Sequence, residues 1–184
     1  ARAAAPLVRH RRWFLEELAR NAAEEYAGIA ENPGEPFSLE YVGSLARTDD
    51  PAQTMLTALS RNRDEDRRRQ YTTFGPHRDD VALMLYGKDL RAMGSQGQLR
   101  TAVLSMKLGE IRLIQQEMGE NPTLLLDDVF SELDVKRRAA LLRSARGIQT
   151  LITCTDRQDA ADAKADQFIH VSSDESGAGC IRLE

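Results

Sequence analysis

Leu124-Leu125-Leu126-Asp127-Asp128 runs without a break into Val129-Phe130-Ser131-Glu132-Leu133-Asp134, and the reading of this stretch decides the fold. Residues 122–126 form a short apolar run without alternation, the pattern of a central parallel strand covered on both faces. Two acids follow directly. Ligands of an open parallel sheet gather beyond the carboxyl ends of its strands, so Asp127 and Asp128 stand where chemistry is expected. Asp134 then takes the place of a cap for a helix running through Arg146 and closed by Gly147, and residues 151–155 supply the next strand. This is a β-α-β unit, whose crossover is expected to be right-handed.

Upstream, Gly94-Ser95-Gln96-Gly97-Gln98 opens a long helix expected over residues 95–118 and ended by Gly119. Leu99, Val103 and Met106 mark one face and Leu104, Leu108 and Ile111 another, so burial on two sides is expected. Unpaired N–H groups and the positive end of a helix dipole favour an anion at such a start. The Ser95 hydroxyl adds a donor, and Gly97 lets the backbone approach a phosphate. The same serine is an ordinary helix cap, and the two readings are compatible. Asp127 is placed to hold Mg2+, largely through water, because magnesium keeps several waters and takes one or two carboxylates plus phosphate oxygens. Asp128, directed to the other side of the strand, is placed to orient or deprotonate an attacking water. Two acids alone merely cap a strand; the flanking motifs turn them into half of an ATP site. The other half, a G-x-x-x-x-G-K-[ST] phosphate loop, occurs nowhere in the 184 residues, and Gly87-Lys88 lacks both the second glycine and the following Ser or Thr. The chain begins with Ala1 rather than Met and reads as a fragment.

The remaining elements follow from periodicity. Phe14, Leu18, Ala22, Tyr26 and Ile29 make a helical stripe over residues 9–30, ended by Asn32-Pro33-Gly34-Glu35-Pro36. Phe37, Leu39 and Tyr41 alternate as a short strand. Asp49-Asp50-Pro51 starts a second helix with Met55, Leu56 and Leu59 inward, and a lobe boundary is expected near Gln70. Val81, Leu83 and Leu85 alternate again, Gly87-Lys88-Asp89 reads as a turn, and residues 90–93 as the returning strand of a hairpin.

Composition sets limits. With 41% hydrophobic residues the chain can bury one good core, and no apolar run approaches the roughly 20 residues that span a bilayer. No membrane partner and a cytoplasmic location are the expectation. Cys154, read as lying in a buried strand, and Cys180 form no C-x-x-C pair and are expected to be reduced. A net charge of −4 makes any contact with a polyanion local. Arg67, Arg68, Arg69 and Arg78 are the candidate nucleic-acid residues, although arginines so mixed with Asp64, Glu65 and Asp66 also read as a solvated helix face.

Gly75-Pro76-His77-Arg78-Asp79-Asp80, Ser95-Gln96-Gly97-Gln98-Leu99-Arg100-Thr101 and residues 124–134 resemble, in that order, the carboxy-terminal half of the RecF family. These are bacterial recombinational-repair ATPases related to Rad50 and the SMC proteins, and the resemblance runs from about Arg9 to Thr155. It implies an α/β fold: half of an ABC-type ATPase head, a parallel-sheet β-α-β with a β-hairpin, plus a compact α-rich lobe. Residues 1–70 would be that lobe and residues 71–184 the head half. The absence of sustained heptads favours the compact lobe over a coiled coil. Ser95, Gln96, Gly97 and Gln98 would be the signature motif, Asp127 the Walker B acid, Asp128 the catalytic carboxylate, and Ser131 to Asp134 the D-loop, with Asp134 at the nucleotide.

In such heads the signature of one subunit closes on ATP held by another, so ATP drives homodimerisation. The family binds DNA at gapped or duplex–single-strand junctions and works with RecR and RecO in loading RecA. Two departures stand out. Asp128 replaces the glutamate of transporters and Rad50, and Thr153-Cys154-Thr155-Asp156 has no histidine where transporters place one. Both imply a slow, switch-like ATPase, and without the phosphate loop this chain alone is expected to be inactive. His77 reads as a structural hydrogen-bonding residue, or else as a group that holds Arg78 or binds nucleic acid. The competing readings are a non-enzymatic module that docks DNA or protein, and a head of another SMC lineage, which Ser95-Gln96-Gly97-Gln98 disfavours.

Overall fold

The structure, a computed structural model, describes residues 1–30, 32, 34–156, 163–173 and 179–183, without the side chains of Glu132, Ser173 and residues 179–183. It divides into two compact units, Ala1–Pro122 and Thr123–Glu184. No helix among the described residues is long and apolar enough to cross a membrane.

In the first unit α1 (Ala4–Ile29) begins five residues before the expected start at Arg9, because Ala4 and Val8 prolong its apolar stripe. They pack with Leu45 against Tyr41, Met55 and Phe74. β1 (Phe37–Val42) and β2 (Asp80–Leu85) are antiparallel, in register from Phe37 opposite Leu85 to Val42 opposite Asp80. Strand alternation sends Phe37, Leu83 and Leu85 to one side, where they form a core with Ala22, Tyr26, Leu90 and Ala102. The Tyr26 and Phe37 rings stack with centroids 4.7 Å apart.

The helix starting at the serine, α5 (Gln96–Met118), packs along α1. The approach is tight at Gly109, where a Cβ would lie 2.8 Å from the backbone nitrogen of Ala22. Leu104, Leu108 and Ile111 are buried, and Leu99 and Met106 pack partly on the sheet core, but Val103 is exposed. Burial on two sides therefore holds for all the expected positions but one. Thr101 and Ser105 are buried as well; their hydroxyls donate to the carbonyls of Gly97 (2.8 Å) and Thr101 (2.7 Å), which removes the cost of an unpaired polar group.

Three expectations for this unit are corrected. Residues 90–93 do not return as a strand. Tyr86 and Gly87 both take positive φ, 52° and 69°, as the two central residues of a type I′ turn must, so the reversal falls one residue earlier than Gly87-Lys88-Asp89. The returning strand, β3 (Lys88–Asp89), is only two residues long. Asp89 then accepts a hydrogen bond from the Arg91 amide (2.8 Å) and starts a helical turn, α4 (Leu90–Met93). The principal partner of β2 is β1.

The division between compact units also falls after Pro122, not near Gln70. α1 and β1, from before Gln70, share one core with β2 and α5, from after it. α2 (Pro51–Arg61) starts as expected, with Asp50 accepting from the Gln53 amide (3.0 Å) and Pro51 at the first position. Met55 points inward, whereas Leu56 is exposed, one residue round the helix. α3 (Arg63–Arg69) carries the arginine cluster.

The second unit contains β4 (Leu124–Leu126), α6 (Val129–Glu132), α7 (Val135–Ser144) and β5 (Thr150–Ile152). β4 and β5 are parallel, with Leu125 opposite Leu151, which makes the expected β-α-β unit. The expected cover on both faces is absent. Leu125 is 71% exposed and Leu151 51%. Paired residues share a face, and this two-stranded sheet has no further strand among the described residues to support a layer over it. Cys154 lies past the end of β5 and is exposed, not buried in a strand; the Cys180 side chain lies outside the described residues. β6 (Ile169–Ser173) and β7 (Gly179–Leu183) add an antiparallel hairpin for which the sequence reading makes no provision.

Candidate functional site

The strand-end acids occupy a turn held by the neighbouring strand. β4 ends at Leu126, whose carbonyl accepts from the amide of Thr153 (2.9 Å), so the parallel ladder extends one bond past β5. The Thr153 hydroxyl donates to Asp127 Oδ1 (2.6 Å) and accepts from the Asp128 amide (2.9 Å). Asp128 itself is not on the strand, contrary to the expectation that it points to the strand's other side. It adopts the left-handed conformation (φ 47°, ψ 27°) at the head of α6, a region that residues other than glycine enter infrequently. Ser131 Oγ is close to both oxygen types of Asp128, 2.8 Å from the carbonyl and 3.2 Å from Oδ2.

Downstream, Leu133 is buried between the two short helices in extended conformation. Asp134 caps α7, accepting from the Arg137 amide (2.9 Å) and pairing with the Arg137 guanidinium. The backbone hydrogen bond, and then the nearby Arg137 charge, hold its carboxyl below the usual carboxylate range. The sequence reading places Asp134 both as a helix cap and at the nucleotide, and its carboxylate makes the capping bond. Thr153, which ties the two acids together, carries no sequence signal of that role beyond a hydroxyl in the strand expected over residues 151–155, and the observed strand ends one residue before it.

The donor set fits a magnesium ion bound largely through water. Asp127 is exposed, Thr153 occupies one carboxylate oxygen, and no protein group is bonded to the other among the described residues. No group of three or more His, Cys, Asp or Glu side chains converges there or elsewhere among the described residues. A lone carboxylate suits an ion that keeps its waters and takes phosphate oxygens, and is too few for an all-protein cage.

The Ser95–Gln98 segment lies in the other unit. Ser95 Oγ accepts from the Gln98 amide (3.1 Å) while Gln98 Oε1 accepts from the Ser95 amide (3.0 Å), a complete capping box. Gln98 Nε2 also reaches Glu35 Oε1 (3.4 Å), and the Tyr26 hydroxyl donates to Glu35 Oε2 (3.1 Å). Ser95 and Gln96 are exposed at the helix start, and Gly97 and Gln98 partly so.

The Gly75–Asp80 segment is built into the fold. Asp79 is almost wholly buried; one carboxylate oxygen receives the Arg11 guanidinium (3.2 Å) and the Tyr41 hydroxyl, and the other has no hydrogen-bond partner. Burial, reinforced by Asp79, pushes the Tyr41 hydroxyl pKa up. His77 Nε2 donates to the Thr72 carbonyl (2.7 Å), the structural role expected of it. Arg78 lies over the Tyr71 ring at 4.7 Å.

The candidate nucleic-acid arginines divide. Arg68 and Arg69 both pair with Glu65, and Arg69 also reaches the Tyr71 hydroxyl. Arg67 instead lines a shallow groove of about 480 Å³ with Arg63, Asp66, Gln70 and Tyr71. Arg63, outside the candidate set, is an exposed cation like Arg67, and neither forms an ion pair among the described residues.

No family model matches the chain. Curated relatives do. A Symbiobacterium thermophilum protein named "DNA replication and repair protein RecF" is 45% identical over 163 residues, 84% of this chain and 43% of the relative. The protein of that name from Alkaliphilus oremlandii is 40% identical over 169 residues, 89% of this chain and 46% of the relative. The chain matches the carboxy-terminal half of RecF. A solved structure described as the recombination mediator protein RecF with ATP, in the RecFOR pathway, superposes with a TM-score of 0.79 at 30% identity, covering 97% of this chain and 47% of that one. The chain thus spans under half the length of its RecF relatives. A structure from work on ATP-driven dimerisation of SMC ATPases superposes with a TM-score of 0.54 at 21% identity, a likeness of fold alone. The fold class is the α/β architecture of RecF and SMC ATPase heads, with a parallel pair and an antiparallel hairpin.

Proposed function

We propose that this chain supplies the signature, Walker B and D-loop part of a RecF-type DNA-repair protein that binds ATP, dimerises with it and hydrolyses it slowly. The observation that carries the reading is the Asp127-Asp128 turn. Two exposed acids stand at the end of a parallel strand, in a chain 45% identical to RecF over 84% of its length. Asp127 would hold Mg2+, which neutralises phosphate charge when bound. Asp128 would orient or deprotonate the attacking water. Ser95 and the N–H groups of Gln96 and Gly97 would meet the phosphates of ATP held by a second copy. The same proposal extends to DNA at gapped or duplex–single-strand junctions, to RecR and RecO as partners in loading RecA, and to a cytoplasmic location, which the motif resemblance supports.

Ser95→Asp tests the reading in the complete protein. Aspartate caps a helix as well as serine, so the fold is kept, but a carboxylate would repel phosphate. ATP binding is expected to persist while ATP-dependent dimerisation, followed by light scattering, is lost. Asp128→Asn should dimerise normally and hydrolyse roughly 10²- to 10⁴-fold more slowly. Dimerisation by Ser95→Asp, or undiminished turnover by Asp128→Asn, would remove these residues from the proposed site. This chain alone should hydrolyse no ATP.

A further inference from the structure

We infer that Thr153 is the positioning residue of the acid pair: one hydroxyl fixes the Asp127 carboxylate for the metal and holds Asp128 in its left-handed turn. The inference rests on the proposed function, because it concerns how that site is prepared for Mg2+ and ATP.

The hydrogen-bond directions are unambiguous. A threonine hydroxyl has one proton to give and two lone pairs to accept with. The ionised Asp127 carboxylate can only accept and the Asp128 amide can only donate, so the proton goes to Asp127 Oδ1 at 2.6 Å and the lone pair receives the amide at 2.9 Å. The first distance is that of a charge-assisted O–H···O⁻ bond, the stronger kind. Thr153 is itself fixed, since its own amide is bonded to the Leu126 carbonyl at 2.9 Å and its β-branched side chain has few rotamers. The hydroxyl is therefore carried on the sheet and not on a loose loop.

Two consequences follow. With Oδ1 occupied, Asp127 turns its other oxygen outward as the free acceptor, and the carboxylate loses rotamer freedom before any metal arrives. The second concerns Asp128, whose φ of 47° is sparsely populated for a residue with a Cβ. The bond from its amide to Thr153 is one of the interactions that hold it there, together with the Ser131 hydroxyl on its carbonyl. A single side chain thus sets the relative placement of the proposed metal acid and the proposed water-orienting acid. Hydrogen-bond partners of metal-binding carboxylates characteristically contribute 10- to 100-fold to metal affinity or activity.

Thr153→Val keeps shape and strand preference and removes only the hydroxyl; Thr153→Ser restores it. In the complete protein, the Mg2+ concentration for half-maximal ATP-dependent dimerisation is expected to rise 10- to 100-fold in Thr153→Val and to stay within about threefold of the parent in Thr153→Ser. Amide hydrogen exchange in the nucleotide-free protein gives a second readout that needs neither metal nor turnover. The Asp128 amide should exchange faster in Thr153→Val, with protection returned in Thr153→Ser. Asp127→Asn separates the two levels of the argument. If it leaves the magnesium dependence unchanged, the reading of the metal acid fails, and the positioning role with it. If Asp127→Asn shifts the dependence and Thr153→Val does not, the positioning inference alone is overturned. Unchanged exchange at Asp128 in Thr153→Val overturns it as well.

Discussion

Asp134 shows what a single residue yields to sequence reading and what it withholds. Its place before an apolar-periodic run marked it as a cap, and its carboxylate does receive the Arg137 amide. The carboxyl is held below its ordinary range by that bond and by the Arg137 charge. A depressed folded-state pKa means that the stabilisation is present above the unfolded pKa and fades as pH falls through the folded one. Asp134→Ala is therefore expected to lower stability by about 1 kcal/mol in urea unfolding at neutral pH, and Asp134→Asn by much less. The gap between parent and alanine variant should narrow below the carboxylate range, and a gap independent of pH would refute the capping role. Thr153 was not legible in the same way. Its partner Asp127 is 26 residues away, and only the parallel register of the two strands brings them together. Local signals reveal caps; they do not reveal which hydroxyl on the next strand reaches which acid.

Elements were legible where periodicity and caps agreed. α5 and α7 fall where apolar spacing and the Ser95 and Asp134 caps place them, the β4–β5 pair follows its apolar runs, and α1, which has no side-chain cap, starts five residues early. The hairpin was misread because residues 90–93 contain apolar side chains and no visible break, while the turn uses Tyr86 at positive φ, which no propensity favours. Asp89, placed by the sequence reading in the turn, is the helix cap that directs residues 90–93 away from a strand. The α1–α5 contact gives a test at this scale. Replacing Gly109 by alanine in an isolated helix would gain about 1 kcal/mol of propensity. In the folded chain the added methyl would meet the α1 backbone at Ala22, 2.8 Å away, and backbone cannot step aside like a side-chain end. Overpacking of this kind costs about 1–3 kcal/mol. Gly109→Ala is thus expected to be neutral at best and Gly109→Val clearly destabilising in thermal unfolding; a Gly109→Val protein as stable as the parent would show that the helices do not approach so closely.

At the scale of the molecule, sequence order misled where packing crosses it. A change in composition near Gln70 suggested a boundary, yet β1 pairs with β2 across that point, and the compact units part after Pro122. Charge behaves similarly. A net −4 says little about DNA binding, because affinity for phosphates depends on which cations lack an acidic partner. Arg68 and Arg69 share Glu65, so neutralising a phosphate would require them to leave a bonded carboxylate. Arg63 and Arg67 line the groove beside Tyr71 with Asp66 and form no ion pair among the described residues. If DNA is bound there, each of these two is expected to contribute one phosphate contact, so Arg63→Ala and Arg67→Ala should each weaken binding at every sequence and lower the slope of log affinity against log salt by about 0.7 to 0.9. Arg68→Ala and Arg69→Ala should change that slope much less. Fluorescence anisotropy titrations of a gapped duplex over a range of salt concentrations measure all four slopes, and equal slopes in all four variants would remove the groove from the DNA footprint.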